Sequence, residues 1–320
     1  MELKEIKFTE IEGIELGHAQ DLEAGTGCTL IACRQGGVAG VDVRGGSPAT
    51  RETDLLKSEN NVQEIHGIML SGGSAFGLEA ACGAMDYFER QGVGFDVEVT
   101  KVPIIVGAAL FDLVVGDKSI RPDRKMGEEA CKNLSTSECP QGNVGAGTGA
   151  TIGKLLGVEG AMKGGLGTFA YQIGDLKVGA LVAVNALGDV VDPESGEILA
   201  GLQDGNGKLS NSELSLLNFY YQSMDVFSGN TTIGAIVTNG KFTKAQMNKL
   251  ASMSHNGYAR AIRPAHTIFD GDTIFTLSTG KVESDINVVA ILAVRAMEQA
   301  IVNAITHAQT AYGFLAMRDL

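Results

Sequence analysis

The chain has 320 residues, enough for a sizeable hydrophobic core, and its formal charge at pH 7 is −13. This charge argues against a nucleic-acid partner, because phosphate binding depends on clustered Lys and Arg. The first residues lack the apolar core of a signal peptide, and no apolar run reaches the roughly 20 residues that span a bilayer. The five cysteines show no Cys-x-x-Cys spacing, which indicates reduced thiols. We therefore expect a soluble cytoplasmic protein with no membrane partner.

Short apolar, β-branched segments bounded by turn residues predict strands at 29–33, 38–43, 65–70, 178–185, 232–238 and 273–278. Two long helices are predicted, from about 74 to 91 and from about 284 to 311. The second is apolar almost all round, which is typical of a helix buried between layers. No linker, low-complexity tract or repeat divides the chain. A single α/β domain over residues 1–320 is therefore expected.

Ser74 follows a predicted strand and begins a predicted helix, in the context Gly72-Gly73-Ser74. This context resembles the nucleophile elbow of α/β-hydrolases. The elbow requires Gly two residues after the Ser, where this chain has Phe76. We interpret Ser74 as the start of a helix, and an elbow nucleophile is the alternative.

A second glycine-rich segment, GAGTGA at 145–150, superficially resembles a dinucleotide-binding loop. Its spacing is Gly-x-Gly-x-Gly rather than Gly-x-Gly-x-x-Gly, and no clear strand precedes it. We interpret these glycines as backbone that must pass close to the active site.

Thr231 begins the apolar strand predicted after the polar sequence Ser228-Gly229-Asn230, which favours a turn or loop. A hydroxyl at the first position of a buried strand, just after a loop, is where an autocatalytic N-terminal nucleophile is found. If the Asn230–Thr231 bond breaks, Thr231 gains an α-amino group beside its own Oγ. That amine titrates at about 7.7–8.0 and can act as the base for the hydroxyl. The alternative is that Asn-Thr-Thr simply enters a strand.

Asp270 and Asp272 are two residues apart, so both side chains face the same side of an extended segment. Two carboxylates placed in this way repel one another unless a cation or hydrogen-bond donors share the site. The Thr231 ammonium and Lys154 are candidate partners. The alternative is a solvated Asp-Gly-Asp turn.

The five histidines are widely separated, with no His-x-x-x-His motif or His/Cys cluster. Neither a metal nor a cofactor is therefore expected. His266 lies near Asp270 in sequence and could approach the site, but we interpret it as a packing residue or a partner of the backbone.

A series of short motifs runs in one order along nearly the whole chain: GHAQD at 17–21, GTGCT at 25–29, RGGSPATRET at 44–53, LSGGSAFGL at 70–78, GAGTGA at 145–150, VNALGD at 184–189, NTT at 230–232, RPAHT at 263–267 and FDGDT at 269–273. Together they resemble the self-processing hydrolases that include L-aminopeptidase/D-amidase/esterase enzymes, β-peptidyl aminopeptidases and nylon-oligomer endohydrolases. The aspartate pair is most similar to the nylon-oligomer branch.

This resemblance implies an α-β-β-α sandwich of the N-terminal-nucleophile type, in which two packed sheets are flanked by helices. It also implies an amide hydrolase, either an aminopeptidase or an oligoamide endohydrolase, that cleaves itself between Asn230 and Thr231 into 1–230 and 231–320. The substrate would be a small peptide or amide, the assembly a homotetramer, and no cofactor would be needed.

The resemblance assigns roles to the remaining site residues. Lys154 would lie beside the nucleophile Thr231, Asn185 would donate its amide to the oxyanion, and Asp270 and Asp272 would hold the Thr231 amine. Taken alone, Lys154 is typical of a surface lysine and Asn185 of a turn residue. An acyltransferase similar to the ornithine acetyltransferases, which share the fold type, is one alternative. A non-catalytic binding protein on the same fold is another.

Overall fold

The computed structural model describes residues 2–218 and 229–320. The strands of these residues are β1 (Leu3–Ile6), β2 (Glu15–Asp21), β3 (Thr26–Val43), β4 (Thr50–Arg51), β5 (Glu64–Ser71), β6 (Phe95–Asp96), β7 (Lys101–Val102), β8 (Ile105–Ala109), β9 (Thr151–Ile152), β10 (Met162–Lys163), β11 (Gly165–Ile173), β12 (Leu176–Asn185), β13 (Asp189–Val191), β14 (Ile198–Ala200), β15 (Thr231–Gly240), β16 (Ile262–Arg263) and β17 (Thr273–Val282). The α-helices are α1 (Ala80–Arg90), α2 (Arg124–Lys132), α3 (Ser212–Asn218), α4 (Lys244–Ala261) and α5 (Ile286–Thr306).

Within these ranges, ten strands are hydrogen-bonded in the order β1-β11-β12-β15-β17-β3-β5-β8-β4, with β2 paired to β3. The 18-residue strand β3 joins two halves of this sheet. Its first part pairs with β2 and β5, and its last part, 38–43, pairs with β17. The first half sheet therefore contains β1, β11, β12, β15 and β17, and the second contains β2, β5, β8 and β4.

The two half sheets pack face to face. Alternate residues of each strand point to opposite faces, so one set of side chains faces the other half sheet and the next set faces the helices. On β12, Leu181 and Ala183 belong to the inner core together with Ile31 and Ile68 of the second half. Val182, one residue away, packs on the other face against residues of α4 and α5. Helices α1 and α2 cover the outer face of the second half sheet. The expected α-β-β-α sandwich is confirmed, with β3 running through both of its sheets.

All the predicted strands are present, and the segments at 29–33 and 38–43 are parts of the single strand β3. The first predicted helix begins as a 3-10 turn at Ser74–Glu79 before α1. The second predicted helix, α5, lies in an outer layer rather than between layers: it contacts β11, β12 and α4, and Ile291 is 59% exposed.

The inner face of α5 is close to the sheet because its contact residues are small. A side chain at Gly167 of β11 would lie only 1.9 Å from the Ala300 carbonyl oxygen of the helix. In the described part of the chain, α5 is the one helix long and apolar enough to cross a membrane, and 61% of that stretch is buried inside the protein. Such burial is typical of a core helix.

Candidate active site

Thr231 is the first residue of β15 and lies opposite Asn185, the last residue of β12. Its neighbour Asn230 forms a bridge with Asp270, just before β17. One end of the first half sheet therefore collects residues from three separate parts of the sequence. Thr231 is only 4% exposed. The predicted loop before it includes Ser228, which lies outside the described residues, whereas Gly229 and Asn230 are buried.

Among the described residues, the carbonyl oxygen of Asn230 accepts two hydrogen bonds. One comes from the hydroxyl of Thr231, the next residue in the chain. The other comes from the backbone N–H of Gly271, 2.9 Å away. A side chain at Gly271 would lie 2.7 Å from Thr231 Oγ, so glycine is required for this approach. A potential nucleophile thus lies beside a carbonyl group whose oxygen is already bound by a main-chain donor.

Lys154 is fully buried in the interior, unlike a typical surface lysine. Its Nζ donates to Asn185 Oδ1 at 2.8 Å, to the Asn185 carbonyl oxygen at 3.0 Å and to the Gly229 carbonyl oxygen at 3.0 Å. Burial lowers the pKa of Lys154 to about 7, and the charges of Asp270 and Asp112 act against this shift. Three acceptors match the three protons of an ammonium group, so this geometry favours the charged form.

Groups that donate hydrogen bonds to the Asn185 amide oxygen set the orientation of the amide. Oδ1 accepts from Lys154 and from the backbone N–H of Thr151 at 2.9 Å. The amide nitrogen therefore points the other way, donating to the carbonyl oxygens of Phe111 at 3.0 Å and Gly229 at 3.4 Å. In this intact chain it binds the carbonyl before Asn230 rather than that of Asn230 itself. Its role toward an oxyanion stays a prediction.

Asp270 is 1% exposed, which does not fit a solvated turn. Its carboxylate accepts from the backbone N–H of Thr267 at 2.9 Å and from that of Leu187 at 3.4 Å. Burial raises the pKa of Asp270 to about 6, and repulsion by Asp272 adds to this effect. The raised pKa of Asp270 and the lowered pKa of Lys154 therefore lie close together.

Asp272, 2% exposed, connects the strand that begins at Thr231 with His266. Oδ1 accepts from the backbone N–H of Thr232 at 2.8 Å. Oδ2 accepts from the backbone N–H of His266 at 3.0 Å and lies 2.9 Å from its ring Nδ1. The ring contact corresponds to the alternative in which His266 approaches the site, rather than to its interpretation as a packing residue.

Asp112 is a buried carboxylate near the site that sequence reasoning also missed. It accepts from the backbone N–H of Gly73 at 2.6 Å and from the Thr26 hydroxyl at 2.7 Å. Burial raises its pKa. The preceding residue, Phe111, receives the hydrogen bond from Asn185. An aspartate just after the apolar strand β8 was the signal that could have identified it.

Ser74 is the first residue of the 3-10 turn that precedes α1, as predicted. Its φ of 56° gives it the left-handed backbone found at sharp strand-to-helix turns. Within the ranges described, however, its hydroxyl forms no hydrogen bond with a histidine or carboxylate. An elbow nucleophile needs such a base, so the contacts of Ser74 do not favour that alternative.

The glycine-rich segment at 145–150 is buried throughout, so it does not present an open phosphate-binding loop. A side chain at Gly149 would lie 2.1 Å from the Gly25 carbonyl oxygen and 2.7 Å from Asp112 Cβ. At Gly147 it would lie 2.2 Å from the backbone nitrogen of Leu166. These close approaches agree with the interpretation of backbone passing near the site.

An α-β-β-α sandwich with a buried hydroxyl held against a peptide carbonyl indicates the class of amide hydrolases. Residues 7–318 match the model of Peptidase family S58, and the chain belongs to this family. The similarity predicted from the motifs is therefore confirmed, and the protein is a member of a group of peptidases and oligoamide hydrolases.

Relatives and solved structures agree with this assignment. An uncharacterized aminopeptidase of Mycobacterium leprae is 39% identical over 294 residues, covering 87% of this chain and 79% of the relative. A 6-aminohexanoate-oligomer endohydrolase of Paenarthrobacter ureafaciens is 30% identical over 292 residues, covering 88% and 77%. The L-aminopeptidase D-Ala-esterase/amidase of Ochrobactrum anthropi, a variant of the Ntn hydrolase fold, superposes with a TM-score of 0.71 at 18% identity over 96% of this chain and 88% of that one. This last similarity concerns the fold.

Proposed function

We propose that the protein is a self-processing amide hydrolase in which Thr231 becomes an N-terminal nucleophile. The observation that carries this proposal is the arrangement at the Asn230 carbonyl, which receives the Thr231 hydroxyl and the Gly271 N–H together. Attack on a carbonyl requires a nucleophile beside the carbon and a donor for the oxygen that becomes negative. The Thr231 hydroxyl and the Gly271 N–H both bind the oxygen of this one peptide group, which supports the proposal.

In the first stage, Thr231 Oγ attacks the carbonyl carbon of Asn230. The Gly271 N–H stabilises the oxyanion, the C–N bond breaks, and the hydroxyl proton ends on the nitrogen of Thr231. The product is an ester between Asn230 and the Thr231 side chain. Hydrolysis of this ester by water gives chains 1–230 and 231–320, the second of which begins with the free amine of Thr231.

In the second stage, the mature Thr231 attacks the amide carbon of a substrate. Its amine accepts the hydroxyl proton and passes it to the substrate nitrogen, which leaves as an amine when the C–N bond breaks. Water then attacks the resulting ester, releases the acyl group as an acid and restores the Thr231 hydroxyl. Asn185, fixed by Lys154, donates to the oxyanion. Asp270 and Asp272 hold the amine, in agreement with the bond between Asp272 and the neighbouring N–H of Thr232.

The substrate class that we propose is a small peptide or an oligoamide, since the relatives are named as aminopeptidases and 6-aminohexanoate-oligomer endohydrolases. Membership in a peptidase family favours water over an amine as the acyl acceptor and favours catalysis over a pure binding role. We also propose that the protein is a homotetramer, as its resemblance to this group implies. Its proposed location is the cytoplasm.

Self-cleavage is expected between Asn230 and Thr231. Intact-mass measurement and N-terminal sequencing of the smaller fragment test the position of the cut. Because the reaction is intramolecular, its rate should not depend on protein concentration, which distinguishes it from cleavage by a contaminating protease. A fragment that begins at Thr232 or Ser228, or a chain that stays whole on long incubation, would contradict the proposal.

The rate of self-cleavage is expected to be bell-shaped in pH, with its maximum between about 6 and 7. Below the pKa of Asp270 the carboxylate gains a proton and can no longer accept from both Thr267 and Leu187. Above the pKa of Lys154 the ammonium group loses a proton, so it can donate to only two of its three acceptors. Gel densitometry between about pH 5 and 9 measures the profile.

The variant Asp270→Asn serves as the control for this profile. It should slow self-cleavage and remove the acid limb, and it should move the alkaline limb to lower pH, because the charge of Asp270 raises the pKa of Lys154. A rate that rises steadily through neutral pH would instead indicate that Lys154 acts as a neutral base. That result would contradict the role of Lys154 as a donor.

A further inference from the structure

Lys163 is a second fully buried lysine whose ammonium group lies among backbone carbonyls. Its Nζ donates to the oxygens of Gly147 at 3.0 Å, Ala150 at 2.8 Å and Gly164 at 2.9 Å. Burial lowers the pKa of Lys163 to about 7. Placing a charge in the interior is unfavourable unless its contacts compensate, so its position calls for a physical reason.

One peptide group, that between Ala150 and Thr151, connects Lys163 with Asn185 by hydrogen bonds at both of its ends. The Ala150 carbonyl that accepts from Lys163 belongs to the same peptide as the N–H of Thr151. That N–H donates to Asn185 Oδ1 at 2.9 Å. A cation at the oxygen of a peptide polarises the group and strengthens its N–H as a donor. The pairing of β9 with β10, which places Lys163 opposite Thr151, fixes this geometry.

Two cations therefore act on the same amide oxygen of Asn185. Lys154 binds Oδ1 directly, and Lys163 acts on it through the Ala150–Thr151 peptide. If the amide were rotated by half a turn, its NH2 group would face the N–H of Thr151 and the ammonium of Lys154. Such an arrangement leaves donors facing donors, so the amide nitrogen is held toward the Gly229 carbonyl.

We propose that Lys163 is a positioning residue that orients the Asn185 amide for catalysis through the Ala150–Thr151 peptide. This inference rests on the proposed role of Asn185 as an oxyanion donor. It predicts that loss of the Lys163 charge weakens catalysis without removing any group that touches the substrate.

Lys244 offers a matched control at the start of α4. It is also buried, and its Nζ donates to three backbone carbonyls, those of Leu55 at 2.6 Å, Asn60 at 3.0 Å and Val62 at 2.8 Å. These carbonyls belong to a different loop, which makes no hydrogen bond to Asn185 in the described residues. A change to Met removes the same number of carbonyl contacts at either lysine, but only Lys163 is connected to Asn185.

The pH dependence of self-cleavage provides a second readout, because Lys154 and Lys163 are close enough for their charges to interact. Asp112 faces Lys163, whereas Asp270, Asp112 and Lys163 face Lys154. The positive charge of Lys163 contributes to the lowered pKa of Lys154, after burial as the main cause. Removal of that charge should therefore raise the pKa of Lys154 and move the alkaline limb of self-cleavage to higher pH.

The experiment compares Lys163→Met, Lys244→Met, Asn185→Ala and the double variant Lys163→Met/Asn185→Ala, using an amino-acid p-nitroanilide. Turnover is expressed per processed chain. Lys163→Met should lower kcat roughly 10- to 100-fold with KM unchanged, because a misplaced donor loses much of its effect. Lys244→Met should lower the melting temperature but leave kcat and the alkaline limb unchanged. In the Asn185→Ala background, Lys163→Met should have no further effect on kcat, since residues that act through one another are not additive.

Each contrary result has a separate meaning. Full activity of Asn185→Ala would overturn the role of Asn185 as an oxyanion donor and with it the inference about Lys163, but it would leave the proposed amide hydrolysis standing. The proposed function itself would be overturned if the processed, unmodified protein hydrolysed no amide or if Thr231→Ala kept full activity. If Asn185→Ala is impaired but Lys163→Met keeps normal kcat, or lowers kcat by the same factor in both backgrounds, the positioning role of Lys163 is wrong. If Lys163→Met does not fold, Lys163→Gln replaces it, because glutamine keeps two donors and lacks the charge. Failure of both to fold while Lys244→Met folds would assign Lys163 to fold stability alone and overturn the inference.

Discussion

Thr231→Ala is expected to yield a chain that stays intact and has no measurable amide hydrolysis. The change removes the oxygen that attacks Asn230 in maturation and the one that attacks the substrate in turnover. Loss of a hydrolase nucleophile lowers kcat by about 10⁶-fold, so residual activity should be at background. Intact mass measures the first effect, and release of p-nitroaniline from amino-acid p-nitroanilides measures the second.

Two matched variants make this result specific to Thr231. Thr231→Ser retains a hydroxyl and should still process and turn over, whereas Ser74→Ala should behave as the unmodified protein. If Ser74→Ala abolished activity in a folded, processed protein while Thr231→Ala stayed active, the nucleophile would be Ser74. The left-handed backbone at Ser74 would then mark a true nucleophile elbow.

The strands that carry the site could be predicted because they are buried on both faces. Strands β12 and β15 are continuous runs of apolar and small residues, without the polar alternation of a surface strand. Helix α4 was missed because its apolar residues are interrupted by Lys, Asn, Ser and His. The capping box formed by Thr243 and Gln246 was present in the sequence and could have identified its start.

Part of the candidate site could also be predicted from the sequence. Residues at the end of one strand and the start of its neighbour, such as Asn185 and Thr231, meet once the strands pair. The donor on the Asn230 carbonyl could not be predicted, because it is a main-chain N–H and main-chain groups leave no pattern in side-chain identity. Asp112 and Lys163 were hidden for a different reason. Their partners, the Thr26 hydroxyl and the Ala150 carbonyl, are brought to them by the fold of the segment between β8 and β11, which has no regular pattern of apolar residues.

Asn185→Ala is expected to lower kcat about 10²–10³-fold, the usual loss for one oxyanion donor. It should slow self-cleavage much less. In the intact chain the Asn230 carbonyl is bound by the Gly271 N–H, whereas the Asn185 amide binds Gly229. With Asn185 as the proposed donor in turnover, the two stages use different donors, and one substitution should separate them. Single-turnover maturation followed on gels and steady-state turnover of the processed enzyme measure the two rates.

Asn185→Asp separates hydrogen-bond donation at this position from structural support. A carboxylate still accepts from Lys154 and from the Thr151 N–H, but it has no N–H to donate. Its second oxygen would face the carbonyl oxygens of Phe111 and Gly229, so the melting temperature is measured beside turnover. A variant that folds as the unmodified protein does should lose turnover to the same degree as Asn185→Ala. Equal losses of maturation and turnover in Asn185→Ala would mean that Asn185 supports the structure of the whole site. Full turnover in Asn185→Asp would mean that the oxyanion is stabilised by another group, for which the main-chain N–H of Gly271 is the first candidate.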